Sequence, residues 1–97
     1  MATYIVLANF TEQGIRSVKD TTKRSDAVKA MAKKCGATLK DVYWTLGAHD
    51  LVAIFEAPDD AAITALGLSL GKAGNVRTQT MRAFSAAEMM GILAKVD

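Results

Sequence analysis

His49 and Asp50 are the side chains best suited to acid–base chemistry, because they are adjacent in the short segment Gly47-Ala48-His49-Asp50. Imidazole titrates near neutral pH and binds metals, so His49 could exchange a proton or supply one metal ligand. A turn residue that packs on its hairpin explains His49 as well, and Asp50 could simply accept backbone N–H groups. We treat both as candidate catalytic residues, and we favour the structural roles.

Few other groups could complete a catalytic or metal-binding cluster around His49, the only histidine of the chain. A metal site needs three or four ligands, and the predicted hairpin adds only Asp50, Asp41 and Glu56. Cys35, the only cysteine, lies on the apolar stripe of a predicted helix, where a thiol behaves as a small hydrophobe. Motifs typical of phosphate, dinucleotide and zinc-protease sites are absent. We therefore expect no metal and no cofactor, and whether the protein is an enzyme stays open, with a non-catalytic role favoured.

Tyr43, Trp44, His49 and Arg82 form the candidate ligand-binding set. Tyr43 and Trp44 are neighbours on a predicted strand and must point to opposite sides of the sheet. An aromatic lining suits either a planar ligand or a dry subunit interface, and we favour the interface. A buried Arg82 needs a partner, which we expect to be an inter-subunit salt bridge, with a ligand carboxylate or phosphate as the alternative. The other candidate anion-binding side chains are Lys19, Lys23, Arg24 and Arg77.

Composition limits the class of protein. The 97 residues suffice for a single domain over residues 1–97, and the 51% hydrophobic content excludes disorder of the whole chain. The net charge is only +2 and the basic residues are dispersed, so we expect no nucleic-acid partner. No apolar run approaches the roughly 18 residues of a membrane span. A lone cysteine fits a reducing compartment, and we expect a cytoplasmic protein without a membrane partner.

The hydrophobic pattern predicts the order β-α-β-β-α-β, followed by one more helix. The predicted strands cover residues 3–10, 38–46, 51–57 and 76–84. A short helix is predicted over 12–18, a second ends before Gly36, a third runs from Pro58 to about Gly74, and the last begins at a capping box, Ser85 to Glu88. This order is typical of the ferredoxin-like α+β fold, with one four-stranded antiparallel sheet.

The first and third predicted strands are apolar on both faces. Ile5 and Leu7 alternate with apolar neighbours, and so do Val52 and Ile54. An antiparallel sheet with one face in water should instead alternate apolar and polar residues. We therefore expect a second copy of the chain to pack its sheet against this one, at a spacing of about 10 Å. The final helix could cover a sheet edge or reach a neighbouring subunit.

Three segments carry a resemblance that spans nearly the whole chain: FTEQGIRSVKDT at 10–21, YWTLG at 43–47 and GNVRTQTMRAF at 74–84. With them, the chain resembles the GYD domain family, which is similar to the wider group of dimeric α/β barrels. Gly47 and Asp50 match the first and last positions of the family's Gly-x-Tyr-Asp turn, while His49 stands where the family has Tyr. The resemblance implies a ferredoxin-like subunit that pairs into a dimeric α/β barrel, and it implies no settled reaction.

Together these features predict a non-catalytic homo-oligomer. It would bind a small apolar or anionic ligand in its barrel, or act as an assembly or stress-related module. The alternative is a small cofactor-independent oxygenase or isomerase, with His49 or Asp50 as the base and Tyr43 or Trp44 lining the pocket. A regulatory module that binds a partner protein is a third possibility.

Overall fold

The structure, a computed structural model, describes residues 1–97 and has the predicted order of elements. The strands are Ala2–Phe10 (β1), Thr38–Trp44 (β2), Leu51–Ala57 (β3) and Val76–Ala83 (β4). The helices are Glu12–Arg16 (α1), Thr21–Lys34 (α2), Asp60–Ala73 (α3) and Ala86–Leu93 (α4). A single 3₁₀ turn over Val18–Asp20 joins α1 to α2, where one helix over 12–18 was predicted. No helix is long and apolar enough to cross a membrane.

The four strands form one antiparallel sheet in the order β2-β3-β1-β4, which confirms the predicted ferredoxin-like α+β fold. The central strands β1 and β3 pair in a register that places Ile5 beside Ile54. On its other side, Ile5 is the partner of Met81 in β4. The register of β2 shifts between Leu39 and Asp41. Directly paired residues share a face, so this register decides which side chains lie together.

One face of the sheet is covered by α2 and α3. Alternate residues of β1 (Tyr4, Val6 and Ala8) are buried there, and Phe55 of β3 lies among them. The helices contribute four buried side chains to the same core, namely Ala32, Ile63, Leu66 and Leu70. The apolar residues that recur along each helix at intervals of three or four therefore face the sheet, as their spacing predicts.

Local features of the sequence set both ends of α3 and the start of α4. The Asp59 carboxylate accepts a hydrogen bond from the Ala62 N–H at 2.9 Å and so begins α3. Gly74 ends α3 in the left-handed conformation, with φ of 86°. Ser85 and Glu88 form the predicted capping box at the start of α4.

The prediction that β2 continues to Leu46 is wrong. The strand ends at Trp44, and Leu46 is fully exposed. The chain already turns at Thr45, whose side-chain hydroxyl donates a hydrogen bond to the His49 carbonyl at 2.5 Å. Gly47 then adopts φ of 127°, which a residue with a side chain rarely adopts. The hairpin loop therefore spans residues 45–50 and is longer than the four residues predicted.

Gly14 lies where α1 meets the turn between α3 and β4. A Cβ atom at this position would overlap the Asn75 carbonyl oxygen. The Thr11 hydroxyl donates to the Gly74 carbonyl at 2.5 Å and accepts from the Gly14 N–H at 3.0 Å. Glycine is therefore required inside α1 despite its low helix propensity, because the two backbones approach so closely.

Candidate functional site

His49 is half-buried, and its ring forms a hydrogen bond with a side chain of β1. Its Nδ1 lies 3.0 Å from Oδ1 of Asn9, and Nδ2 of Asn9 donates to the Ala48 carbonyl at 2.8 Å. Because the Asn9 amide nitrogen is used on Ala48, its oxygen acts as the acceptor, so Nδ1 of His49 carries the proton. This arrangement ties the hairpin loop to the end of β1 and leaves Nε2 as the free nitrogen of the ring.

Asp50 extends the pairing of β3 with β1. Its backbone N–H donates to the Ala8 carbonyl at 2.9 Å, and its Oδ2 accepts a hydrogen bond from the Phe10 N–H at 2.9 Å. The carboxylate thus substitutes for the carbonyl that a longer strand would offer. In this geometry Asp50 stabilises the sheet end, which is the structural role considered beside the catalytic one.

Tyr43 and Trp44 lie on opposite faces of the sheet. Tyr43 pairs with Val52 on the face without helices, and 57% of its surface is exposed. Trp44 lies on the helix-covered face, where its Nε1 donates to Oγ1 of Thr21 at 2.9 Å. The two aromatic side chains therefore cannot line one pocket.

Arg82 is exposed on the helix-covered side of β4 and pairs within its own chain. Its Nη2 donates to Oε2 of Glu88 at 3.1 Å, and its guanidinium lies 4.5 Å from the centre of the Phe84 ring. The Ser85 backbone N–H and Arg82 together hold the pKa of Glu88 below its ordinary value. Within the single chain Arg82 is exposed, and Glu88 supplies the carboxylate that the sequence analysis expected from a partner subunit.

Tyr4 lies beside Arg82 on the same face. Its hydroxyl donates to Oδ1 of Asp60 at 2.5 Å, and this hydrogen bond raises the pKa of the Tyr4 phenol above its ordinary value. Tyr4 and Asn9, which holds His49, are five residues apart on one strand, or about 17 Å at the usual rise of a strand. The candidate ligand-binding residues Arg82 and His49 are therefore at opposite ends of the sheet.

A cavity of about 150 Å³ lies between α2 and the sheet, on the helix-covered face. Its lining is mostly apolar and includes Phe10, Val28, Leu51 and Ala53. The polar lining residues are Thr21, Arg24, Ser25, Asn75 and Thr78. None of Tyr43, Trp44, His49, Asp50 or Arg82 lines it. Sequence reasoning placed a pocket between subunits and missed this one. The only signal was Arg24, which the sequence marks as an anion-binding candidate.

The other face of the sheet has no helix over it, and we call its apolar side chains the open sheet face: Ile5, Leu7, Tyr43, Val52, Ile54 and Met81. All six are half-buried or exposed. They form one patch across the four strands, because each side chain is paired with another of the six on a neighbouring strand. The prediction that β1 and β3 are apolar on both faces is confirmed.

The last helix, α4, also exposes apolar side chains. None of its residues is buried, and 73% of Met90 is exposed, with Met89 and Leu93 also exposed. Its first turn is held by the capping box and by the Arg82–Glu88 pair. The helix ends at Leu93, so Val96 lies beyond it. No group of three or more His, Cys, Asp or Glu side chains is close enough to hold a metal ion.

Comparison with known proteins places the chain among small α+β domains. The family model described as GYD domain matches residues 4–93. A Thermus thermophilus protein named glutamine synthetase and cystathionine beta-lyase binding protein is 30% identical over 94 residues, which are 96% of this chain and 99% of that protein.

Solved structures support the same fold. The crystal structure of FFRP-DM1 has a TM-score of 0.63 at 19% identity and covers 87% of this chain and 100% of its own. A Pyrococcus horikoshii hypothetical protein has a TM-score of 0.62 at 18% identity, and the match covers 88% of this chain and 92% of that protein. A crystal structure of a Thermus thermophilus protein has a TM-score of 0.56 at 25% identity, and the match covers 89% of this chain and 96% of that protein. These likenesses concern the ferredoxin-like fold of the chain.

Proposed function

The chain belongs to the GYD domain family, and on that premise we propose that it is a non-catalytic homo-oligomeric module that binds other proteins. The name of its Thermus thermophilus relative supports protein partners, because that relative is named for binding two enzymes. The roles of His49 and Asp50 in tying the loop to β1 support a non-catalytic module. The free, half-buried Cys35 suits the reducing cytoplasm, where we place the protein.

The open sheet face is the observation that supports the proposed homo-oligomer most strongly. A sheet face exposed to water is normally polar, and contiguous apolar patches of this kind mark interaction sites. Two copies can bury the patch by packing sheet on sheet, and a two-fold axis lets one surface serve both subunits. The low net charge of +2 offers little repulsion to that pairing. A second copy therefore completes a barrel, with Tyr43 inside it.

The exposed side of α4 is the contact that we assign to the partner protein. An apolar helix can insert into a groove of another protein, and methionine side chains adapt to differently shaped surfaces. Met89 and Met90 give α4 that adaptability, and its anchored first turn presents the helix in one orientation. The sheet face and α4 are separate surfaces, so pairing and partner binding can be tested independently.

Binding to the enzymes named for the relative is the direct test. The immobilised chain is exposed to glutamine synthetase and cystathionine beta-lyase from its own source, and binding is followed by biolayer interferometry. We expect at least one enzyme to bind, and Met90→Lys to weaken that binding by tenfold or more, about 1.4 kcal/mol. Absence of binding by both enzymes contradicts the proposed partners.

The matched control is Leu68→Lys. Leu68 is 71% exposed on the outer side of α3, so the variant adds the same charge away from α4. It should bind as the unmodified chain does. Equal losses from Met90→Lys and Leu68→Lys would assign the effect to charge alone and remove α4 from the proposal.

A further inference from the structure

The cavity under α2 is an apolar space that the chain's own side chains leave unfilled. Val28 of α2 and Leu51 and Ala53 of β3 line it and stay only half-buried, although they face the helix-covered side. Apolar cavities of roughly this volume admit molecules of the size of benzene. The space lies on the opposite side of the sheet from the open sheet face, so what it binds does not depend on the proposed pairing.

Arg24 provides a fixed positive charge on the cavity lining. Its Nη1 and Nη2 donate to the backbone carbonyls of Ser17 and Gly14, each at 3.0 Å, and its guanidinium lies 5.8 Å from the centre of the Phe10 ring. These contacts hold the side chain in place without neutralising it. Of the five N–H donors of a guanidinium, three remain.

Arg24 also lacks a carboxylate partner. The three ion pairs of the structure join Arg16 to Glu12, Lys40 to Glu56 and Arg82 to Glu88. A half-buried guanidinium without a counter-ion is a site for an anion, because burial strengthens its attraction for negative charge. The Ser25 hydroxyl, on the next residue, adds a second donor to the cavity lining.

We propose that this cavity binds a small organic monocarboxylate, with an aromatic or branched apolar body inside it and the carboxylate on Arg24. The apolar lining matches the body, and the planar guanidinium matches a carboxylate in geometry and charge. A phosphate ester carries nearly two negative charges, and a single arginine would leave one of them without compensation. The ligand class is therefore an acid of about the size of benzoate.

Benzoate is the probe for this site, with benzyl alcohol as its neutral counterpart. In a titration of the ¹⁵N-labelled chain followed by NMR, we expect saturable shifts at the amides of Val28, Leu51 and Ala53. Benzoate should bind at least about tenfold more tightly than benzyl alcohol. Absence of saturable shifts, or shifts confined to the open sheet face, overturns the proposal.

Three variants separate the two parts of the site. Ala53→Leu fills the cavity and should abolish benzoate binding without touching Arg24. Arg24→Gln should weaken benzoate binding about tenfold or more and leave benzyl alcohol binding nearly unchanged. The matched control is Arg77→Gln, which removes an arginine that is also outside the three ion pairs but lies on the opposite face.

The outcomes of these titrations are distinct. Unchanged benzoate affinity in Ala53→Leu contradicts the cavity as the site. Equal losses from Arg24→Gln and Arg77→Gln contradict recognition of the carboxylate by Arg24. Because Arg24 also bonds to two backbone carbonyls, the spectrum of the unliganded Arg24→Gln variant must retain its dispersion, and Arg24→Lys tests the same charge if it does not. Failure of this site leaves the pairing of sheets and the binding through α4 untouched.

Discussion

Ile5 is the position from which the pairing of two copies can be tested most sharply. It lies on the central strand β1, between Ile54 of β3 and Met81 of β4, so its neighbours on the open sheet face are apolar on both sides. In a separate chain, a lysine at this position would extend into water. In a sheet-on-sheet pair, it would put an ammonium group at the centre of the contact.

The expected loss follows from the cost of removing that charge from water. An unpaired ion inside a protein contact costs several kcal/mol, and about 3 kcal/mol is a conservative value. A two-fold pair contains the substitution twice, so Ile5→Lys should weaken association by about 6 kcal/mol. Since each 1.4 kcal/mol is a factor of ten, the dissociation constant should rise by roughly four orders of magnitude.

Sedimentation velocity over a dilution series measures this change. The unmodified chain should sediment as an oligomer, and Ile5→Lys as a monomer at the same concentrations. Leu68→Lys is the control, because it adds the same charge on the outer side of α3, and it should assemble normally. Far-UV circular dichroism establishes that both variants are folded. A folded Ile5→Lys variant that assembles like the unmodified chain would refute this reasoning.

Two further predictions concern the fold of the single chain. Gly14→Ala should lower the free energy of unfolding by about 1–3 kcal/mol, because the new Cβ overlaps a backbone carbonyl, whereas Gly71→Ala, in open space on α3, should raise it by about 0.5–1 kcal/mol. Urea unfolding measures both, and two changes of the same sign would contradict the packing described for α1. The Ser85 N–H and Arg82 lower the pKa of Glu88, so the ionised carboxylate stabilises α4. This stabilisation is complete at pH values above the ordinary pKa of glutamate, and it is lost as the pH falls through the lowered pKa. An NMR titration should show Glu88 and the α4 amides changing together in that acidic range, and an α4 that keeps its shifts throughout would contradict it.

The parts of the fold that could be predicted from the sequence are those that depend on neighbours along the chain. The capping box at Ser85 is a local hydrogen-bonding pattern and is present, whereas α3, predicted from Pro58, begins two residues later at Asp60, after the Asp59 cap. The two apolar faces of β1 and β3 follow from a period of two along each strand, which holds whatever covers the sheet. These local patterns are enough to specify the order of elements and hence the ferredoxin-like topology.

The parts that could not be predicted depend on distances between elements. Arg82 meets Glu88 because the chain turns back between β4 and α4, and alternation along β4 contains no information about that turn. The cavity exists because α2 lies far enough from Ala53 and Leu51 to leave space, and helix periodicity indicates only which side faces the sheet. Likewise, the family turn marks His49 as unusual, but its bond to Asn9 follows from the position of the loop over β1.

Isotope-filtered NMR on a mixture of labelled and unlabelled chains tests the central claim most directly. In such a sample, nuclear Overhauser effects between a labelled and an unlabelled chain arise only across a contact between copies. If the open sheet face pairs with itself, the methyl groups of Ile5 and Ile54 will show these effects, and Leu68 will not. Effects that are absent altogether, or that appear on the outer side of α3 instead, would contradict the pairing of sheets.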